Sequence, residues 1–213
     1  MDLETGLPSY PDKFFDLAIV DPPYGIGLSG YKTAPKTFFG NKSPVSKNGS
    51  NFTKKGWDKN RPNEEYFFQL KRVCKNVIVW GGNYFTDFFP PSKGWVFWYK
   101  RTNGNFADGE MAYTSFDRPL KVADFVWNGL QQADMKYKEK RIHPTQKPVA
   151  LYRWLLENYA KPGQLILDTH VGSASSLIAC ESMGFDYVGF EIDPDYYAAA
   201  KNRMNKGIQA VLI

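Results

Sequence analysis

The segment Asp21-Pro22-Pro23-Tyr24-Gly25 places a carboxylate, two rigid residues and an aromatic ring within five positions. Each proline fixes φ and lacks a backbone N–H, so the neighbouring carbonyl groups remain available as hydrogen-bond acceptors. A carboxylate beside a free carbonyl can accept both hydrogens of an amino group, and the tyrosine offers a flat face for stacking. This combination suits a planar base with an exocyclic NH₂ group. A rigid turn after a strand is the alternative interpretation of the two prolines.

A second candidate site lies in residues 165–176, which read LILDTHVGSASS and are predicted to run from a strand through a tight turn into a helix. Gly, Ser and Ala let a ligand approach the backbone at a helix N-terminus. Glu191 ends the next predicted strand, where an acid commonly accepts hydrogen bonds from ribose hydroxyls. The turn lacks a full GxGxxG, so a nucleoside without phosphates is favoured over a dinucleotide. An ordinary βα turn is the alternative.

Short apolar runs that end at Gly or Pro predict the strands, and apolar runs with helical start and stop signals predict the helices. The predicted strands are 15–20, 76–80, 94–99, 111–116, 122–127, 165–167 and 187–190, and the predicted helices are 63–73, 148–159, 173–183 and 194–204. Their alternation favours an α/β fold with a mostly parallel sheet. Ligands bind at the carboxyl ends of such strands, where Asp21, Asp168 and Glu191 are expected.

Composition narrows the class of protein. The 213 residues are 43% hydrophobic and 23% charged, which excludes a disordered chain and predicts a single domain, 1–213. No stretch approaches the roughly 18 apolar residues of a membrane helix, and the N-terminus lacks a signal-peptide pattern. The two cysteines lie outside any CxxC and there are two histidines, so we expect neither a disulfide framework nor a metal site. A cytoplasmic location fits best.

Positive charge is concentrated in residues 29–61, which carry eight Lys or Arg and a single acid, Asp58, in a chain of net charge +5. A loop rich in Gly, Ser and Asn with this charge cannot pack a core of its own. It can neutralise phosphates, which releases counterions. A solvated surface loop is the alternative.

Three motifs together resemble those of the amino-group DNA methyltransferases: DPPYG at 21–25 after a hydrophobic strand, HPTQKP at 143–148, and the turn from Asp168 to Ser173. The Asp-Pro-Pro-Tyr motif comes first and the S-adenosylmethionine motif last. This circularly permuted order is similar to the β-class of N6-adenine and N4-cytosine enzymes, and the resemblance covers nearly the whole chain. It implies a Rossmann-like S-adenosylmethionine-dependent methyltransferase fold with a mostly parallel sheet of the seven-stranded type.

The resemblance also implies roles for individual residues. Asp21 and the Pro22 carbonyl would accept hydrogen bonds from the target amino group, and Tyr24 would stack on a flipped-out base. The segment 100–115, which includes Glu110, resembles the family's segment beside the target base. The target-base pocket would include Pro23, Tyr24 and Phe106. The cofactor-binding residues would be Asp2, Thr145, Lys147, Asp168, Gly172, Ser173 and Glu191.

The chain departs from the family pattern in two ways. The cofactor turn usually reads Asp-x-Phe-x-Gly-Ser-Gly, and here His170 replaces Phe and Ala174 replaces the second Gly. Only 27 residues separate Ser115 from His143, too few for a separate target-recognition domain. DNA sequence would then be read by the 29–61 loop, by a restriction or specificity partner or a homodimer, or hardly at all. The predicted DNA-contacting side chains are Lys54, Lys55, Lys59 and Arg61.

The leading interpretation is a site-specific DNA methyltransferase acting on the N6 of adenine. A cytosine-N4 methyltransferase needs the same acceptors for a different amino group, and family tendency favours Asp before Pro-Pro-Tyr for adenine. A protein-amide methyltransferase fits less well, since that family carries Asn in place of Asp21. An alternative of another class is a non-catalytic DNA-binding module with a degenerate cofactor site, which the intact Asp21, Tyr24 and Glu191 disfavour.

Overall fold

The structure, a computed structural model, describes residues 6–27, 55–101, 107–127, 131–132, 135–136 and 138–210, with side chains as far as 206. Its strands are β1 (Phe15–Val20), β2 (Cys74–Trp80), β3 (Trp95–Tyr99), β4 (Gly109–Thr114), β5 (Lys121–Asp124), β6 (Leu165–Asp168) and β7 (Asp186–Gly189). Its α-helices are α1 (Glu64–Val73), α2 (Val149–Tyr159), α3 (Ser175–Met183) and α4 (Pro194–Ala210). Each predicted element has a counterpart, and α4 extends six residues beyond its predicted end.

All seven strands form one sheet in the order β5-β3-β4-β2-β1-β6-β7. β1 pairs in parallel with β2 and β6, β6 pairs in parallel with β7, and β3 with β5. β4 is antiparallel to both of its neighbours, β2 and β3. The predicted α/β fold with a mostly parallel seven-stranded sheet is therefore confirmed.

Strand β1, in the interior of the sheet, is apolar along almost its whole length because both faces of the sheet are covered. Leu17 and Ile19 lie in one core cluster, to which α2 and α3 contribute residues such as Leu155. Ala18 and Val20 lie in the cluster on the opposite face, together with residues of α1. Successive side chains of β1 therefore point to opposite faces of the sheet, as expected for a strand. The strand ends at Val20, so Asp21 follows directly at the edge of the sheet.

Strand direction determines which residues meet at that edge. The parallel strands β1, β2, β6 and β7 all end there, whereas the antiparallel β4 begins there. Asp21, which follows β1, is thereby brought near Glu110, the second residue of β4. The sheet thus collects acidic side chains from strands that are distant in the sequence.

Within the ranges that the structure describes, no helix combines the length and apolar character needed to span a bilayer.

Candidate active site

A single cavity joins the two candidate sites that the sequence predicts. Asp21 and Pro23 line it from the end of β1, and Gly172 and Ser173 line it from the turn after β6. The remaining lining residues are Trp57, His143, Thr145, Gln146, Lys147, Tyr152, Thr169, His170, Val171, Phe190, Glu191, Ile192, Asp193 and Tyr196. The structure therefore brings all three quoted motifs to one place, although they span about 150 residues of the chain.

Asp21 is held by two donors. The Tyr24 hydroxyl donates to Oδ1 at 2.7 Å, and the Lys147 ammonium donates to Oδ2 at 2.5 Å. Burial raises the pKa of Asp21 above its ordinary value, Lys147 limits this rise, and the negative charge of Glu110 adds to it. Each carboxylate oxygen keeps further acceptor capacity, so Asp21 can still receive hydrogen bonds from a ligand.

Glu110 is a second carboxylate of this site. Its Oε2 lies 3.1 Å from the Lys147 ammonium, and its Oε1 accepts a hydrogen bond from Lys100. Burial opposes its charge, but the two ammonium groups outweigh this effect and lower its pKa to about 2. Glu110 is therefore ionised and competes with Asp21 for Lys147.

Tyr24 is positioned by the turn after β2. Gly81 has φ +65°, and a Cβ atom there would lie 2.2 Å from the Tyr24 ring, so only glycine is compatible with this packing. The Tyr24 ring stacks on Tyr84 with a centroid distance of 4.9 Å and an interplanar angle of 15°. Sequence reasoning missed Tyr84. A base that stacks on Tyr24 must use its other face or displace Tyr84.

Asp58 anchors the loop that follows Tyr24. Its carboxylate accepts a hydrogen bond from the Gly25 N–H at 2.9 Å, and its carbonyl accepts one from the Gly27 N–H at 2.9 Å. The side chain is buried. Asp58 therefore fixes the backbone that follows the Asp-Pro-Pro-Tyr motif. In the sequence it stands out only as the single acid of a basic segment.

Asp168 stabilises the turn after β6 through hydrogen bonds to residues on both sides of Gly172. Its carboxylate accepts hydrogen bonds from the His170 N–H at 2.9 Å and from the Ser176 hydroxyl. Burial raises its pKa to about 7, although both hydrogen bonds act in the opposite direction. Asp168 does not itself line the cavity, so its predicted contribution to cofactor binding is an indirect one through the turn.

The structure explains how His170 and Ala174, the two departures from the family pattern in this turn, are accommodated. His170 is half-buried, and the loss of water around its ring lowers its pKa to about 3. The ring is therefore neutral, and it packs edge-on against Tyr66. A neutral imidazole can provide the flat surface that a phenyl ring would give. Ala174 has φ +60°, in the left-handed region that costs a non-glycine residue roughly 1–2 kcal/mol. This conformation explains why glycine is usual at that position.

Glu191 is oriented by the backbone around it. Its Oε2 accepts from the Gly172 N–H at 2.7 Å and its Oε1 accepts from the Asp193 N–H at 2.9 Å. Burial raises its pKa, and these two N–H groups oppose the rise. Each oxygen retains a lone pair, and the side chain lines the cavity, so the carboxylate can accept two hydroxyl donors side by side.

An aromatic wall lines the cavity beside Gly172. The His143 ring lies 5.2 Å from Trp57 and 4.4 Å from Tyr196, measured between ring centroids. Burial lowers the pKa of His143 to about 3, so the ring is neutral. Thr145, a predicted cofactor residue, sits beside it with Oγ1 3.1 Å from His143 Nδ1. The wall offers flat, uncharged surface to a ligand.

The predicted DNA-contacting residues differ in their surroundings. Lys55 lies 2.6 Å from both Asp193 and Asp195, and Arg61 forms an ion pair with Asp87. Lys59 is exposed. Three predicted site residues, Asp2, Lys54 and Phe106, lie outside the described residues, as does most of the 29–61 loop.

A seven-stranded, mostly parallel sheet with an acidic cavity at its carboxyl edge is the arrangement expected of a methyltransferase. The family model described as DNA methylase, N6_N4_Mtase, matches residues 15–202, so the chain belongs to this family of N6-adenine and N4-cytosine DNA methyltransferases. The putative methylase YubD of Escherichia coli strain K12 is 24% identical over 92% of this chain and 84% of its own length.

Solved structures share the fold. The M1.HpyAVI–SAM complex superimposes with a TM-score of 0.60 and 18% identity, over 95% of this chain and 96% of the other. The PvuII DNA methyltransferase, which is cytosine-N4-specific, superimposes with a TM-score of 0.55 and 16% identity, over 95% of this chain and 86% of the other.

The structure of M1.HpyAVI that shares this fold is a complex with S-adenosylmethionine. The residues present fit it: the cavity combines a paired-acceptor carboxylate at Glu191, flat neutral walls and a glycine at 172 with φ +51°. No phosphate-binding cradle is needed for a cofactor without phosphates.

Proposed function

We propose that this DNA methyltransferase transfers the methyl group of S-adenosylmethionine to the exocyclic N6 amino group of adenine, by direct in-line attack on a flipped-out base. The observation that carries the proposal is the shared cavity, which is lined by Asp21, by the turn at Gly172 and by Glu191. An amino acceptor and a cofactor-binding turn therefore open onto the same space. This arrangement supports methyl transfer to a bound base, and the proposal is that it occurs at a specific site in DNA.

When bound, S-adenosylmethionine supplies a methyl group activated by its sulfonium. The adenine N6 is a poor nucleophile because its lone pair is delocalised into the ring. Hydrogen bonds from the amino group to the Asp21 carboxylate and the Pro22 carbonyl favour a pyramidal nitrogen and stabilise the positive charge that grows on it. Tyr24 holds the base by stacking, which offsets part of the few kcal/mol that flipping costs.

Glu191 and the turn at Gly172 would hold the cofactor, which would supply the methyl group to N6 and leave as an uncharged thioether. The nitrogen then loses one proton. Asp21 is the acceptor nearest to it, and its pKa, which burial raises, suits it to take the proton once the charge has formed.

The choice of adenine rests on the acid at position 21, since family tendency associates Asp before Pro-Pro-Tyr with N6 methylation. Cytosine N4 is the second candidate, because the PvuII enzyme of the same fold acts there. A non-catalytic module is disfavoured, because Asp21 and Glu191 both line the cavity with free acceptor capacity. Calorimetry separates the module from the enzyme, since a module releases no heat with the cofactor.

The test is the identity of the methylated base. DNA from cells that express the protein is sequenced with a readout that distinguishes N6-methyladenine from N4-methylcytosine, and its nucleosides are analysed by mass spectrometry. We expect N6-methyladenine at one recognition sequence. N4-methylcytosine would overturn the choice of base and leave the rest of the mechanism in place.

We further propose that DNA is held through the basic segment 29–61. Among its described side chains, Lys55 and Arg61 are paired with carboxylates, whereas Lys59 is exposed and can meet a phosphate. A restriction or specificity partner, or a homodimer, would contribute to recognition of the DNA sequence, because only 27 residues separate Ser115 from His143. A reducing cytoplasm suits the two free, buried cysteines.

Replacing Lys54 and Lys59 by Gln is expected to weaken DNA binding and to flatten its salt dependence. Each lysine that no longer neutralises a phosphate reduces the slope of log Kobs against log salt by about 0.9. Fluorescence anisotropy at a series of salt concentrations measures this slope. Lys161→Gln, an exposed lysine outside the segment, serves as the control. An unchanged slope in the double variant would show that the segment does not bind phosphate.

A further inference from the structure

Lys147 is an unusual lysine for a DNA-binding protein, because its side chain is only 3% exposed and cannot reach a phosphate. The backbone on its N-terminal side is pinned: the Gln146 carbonyl accepts from the Trp127 indole at 2.8 Å, and the Gln146 side chain accepts from the Ile142 N–H at 2.9 Å. Pro148 restricts it on the other side. The ammonium is therefore fixed in position by the fold.

The ammonium is shared by two carboxylates. Its Nζ lies 2.5 Å from Asp21 Oδ2 and 3.1 Å from Glu110 Oε2, while Lys100 pairs with the other oxygen of Glu110. Charges of alternating sign thus run from Lys100 through Glu110 and Lys147 to Asp21. Although Lys147 lines the cavity, as predicted for a cofactor residue, its charge is directed at Asp21.

We propose that Lys147 and Glu110 are positioning residues for methyl transfer: Lys147 holds one oxygen of Asp21 and keeps the carboxylate ionised, and Glu110 weakens this hold by competing for the same ammonium. The inference rests on the role of Asp21 in the proposed function. It gives a reason for a buried lysine in the HPTQKP segment, and it makes Glu110 part of the site. Neither residue touches the reacting atoms, so neither is a catalytic residue.

Lys147 and Glu110 act on Asp21 in opposite directions. The titratable and charged groups that act on Asp21 are Tyr24, Glu110, Lys147, Tyr152 and Asp168. Removing Lys147 takes away the cation paired with the half-buried Asp21 carboxylate and leaves the negative charge of Glu110 nearby, so Asp21 binds its proton more tightly. Removing the charge of Glu110 eliminates its repulsion of the Asp21 carboxylate. The Lys147 ammonium then pairs with Asp21 only, so Asp21 binds its proton less tightly.

Three variants test this: Lys147→Met, Glu110→Gln and the double variant. For each, the acid limb of the kcat–pH profile and the ¹³C titration of the Asp21 carboxylate are measured, the signal being assigned with Asp21→Asn. We expect both measurements to move upward by about one pH unit or more in Lys147→Met and downward in Glu110→Gln. In the double variant, one charge of each sign is removed, so both return toward the wild-type values. Lys161→Met and Glu157→Gln, both exposed, are matched controls.

A merely structural role predicts a different pattern. Loss of packing would lower activity at every pH, leave the ¹³C titration of Asp21 in place, and make the double variant worse than either single one. Shifts of the same sign in the two single variants, or none, would overturn the proposal. The ¹³C titration needs neither DNA nor a methylated product, so its outcome is independent of whether adenine or cytosine is the base.

Discussion

Replacing Asp21 by Ala is expected to lower the rate of methyl transfer at least about 10²–10³-fold, the usual effect of removing one group that stabilises charge in a transition state. The variant loses the carboxylate that accepts the amino group and that balances the charge growing on nitrogen. Cofactor affinity should stay near normal, because the Glu191 carboxylate and the turn at Gly172 are untouched. Single-turnover transfer of a labelled methyl group and calorimetric cofactor binding measure the two effects separately.

Asp21→Asn gives a narrower comparison, since it keeps the shape of the side chain and one acceptor oxygen but removes the charge. It should also be strongly impaired. Asp117→Ala is a suitable control, because that side chain is 90% exposed and pairs with Lys93 at the surface. A rate close to that of the wild type in Asp21→Ala would show that the role given to Asp21 is wrong.

Replacing Glu191 by Ala is expected to weaken cofactor binding about 100-fold, which corresponds to roughly 2.7 kcal/mol. The proposed loss is that of two charge-assisted hydrogen bonds to the ribose, each of which typically contributes about 1.5–3 kcal/mol. Part of the effect comes from the turn, since Glu191 also accepts the Gly172 N–H at 2.7 Å. Calorimetry gives the affinity, and methyl transfer at saturating cofactor should recover much of the wild-type rate.

Glu191→Gln should fall between Ala and the wild type, because it retains one acceptor oxygen. Glu157→Ala, a change on the exposed face of α2, controls for general effects of removing an acid. A dissociation constant within about threefold of the wild-type value in Glu191→Ala, a difference of less than roughly 1 kcal/mol, would remove Glu191 from the cofactor site.

The sequence predicts much of the site because the acids that line it follow strands with clear apolar patterns. β1 is a run of six mostly apolar residues, and two prolines follow shortly after it. The position of Asp21 at the end of the strand therefore follows from the apolar run and the prolines alone. The end of β6 and the position of Glu191 follow in the same way. Since parallel strands end at a common edge, these residues could be placed together without a structure.

Other features of the site depend on sheet topology and side-chain packing, which cannot be predicted from short sequence patterns. Glu110 reaches Asp21 only because β4 is antiparallel, and Lys147 reaches it across 126 residues of sequence. The stacking of Tyr84 on Tyr24 depends on the left-handed turn at Gly81. In each case the deciding interaction joins segments far apart in the chain, so a reading of neighbouring residues could not find it.

The most direct measurement of the central claim is a crystal structure of the protein with S-adenosylmethionine bound. We predict that the ribose hydroxyls meet the Glu191 carboxylate, that the ligand lies against Gly172, and that its methyl group points across the cavity toward Asp21. A ligand bound elsewhere, or one whose methyl group points away from Asp21 toward solvent, would contradict this prediction.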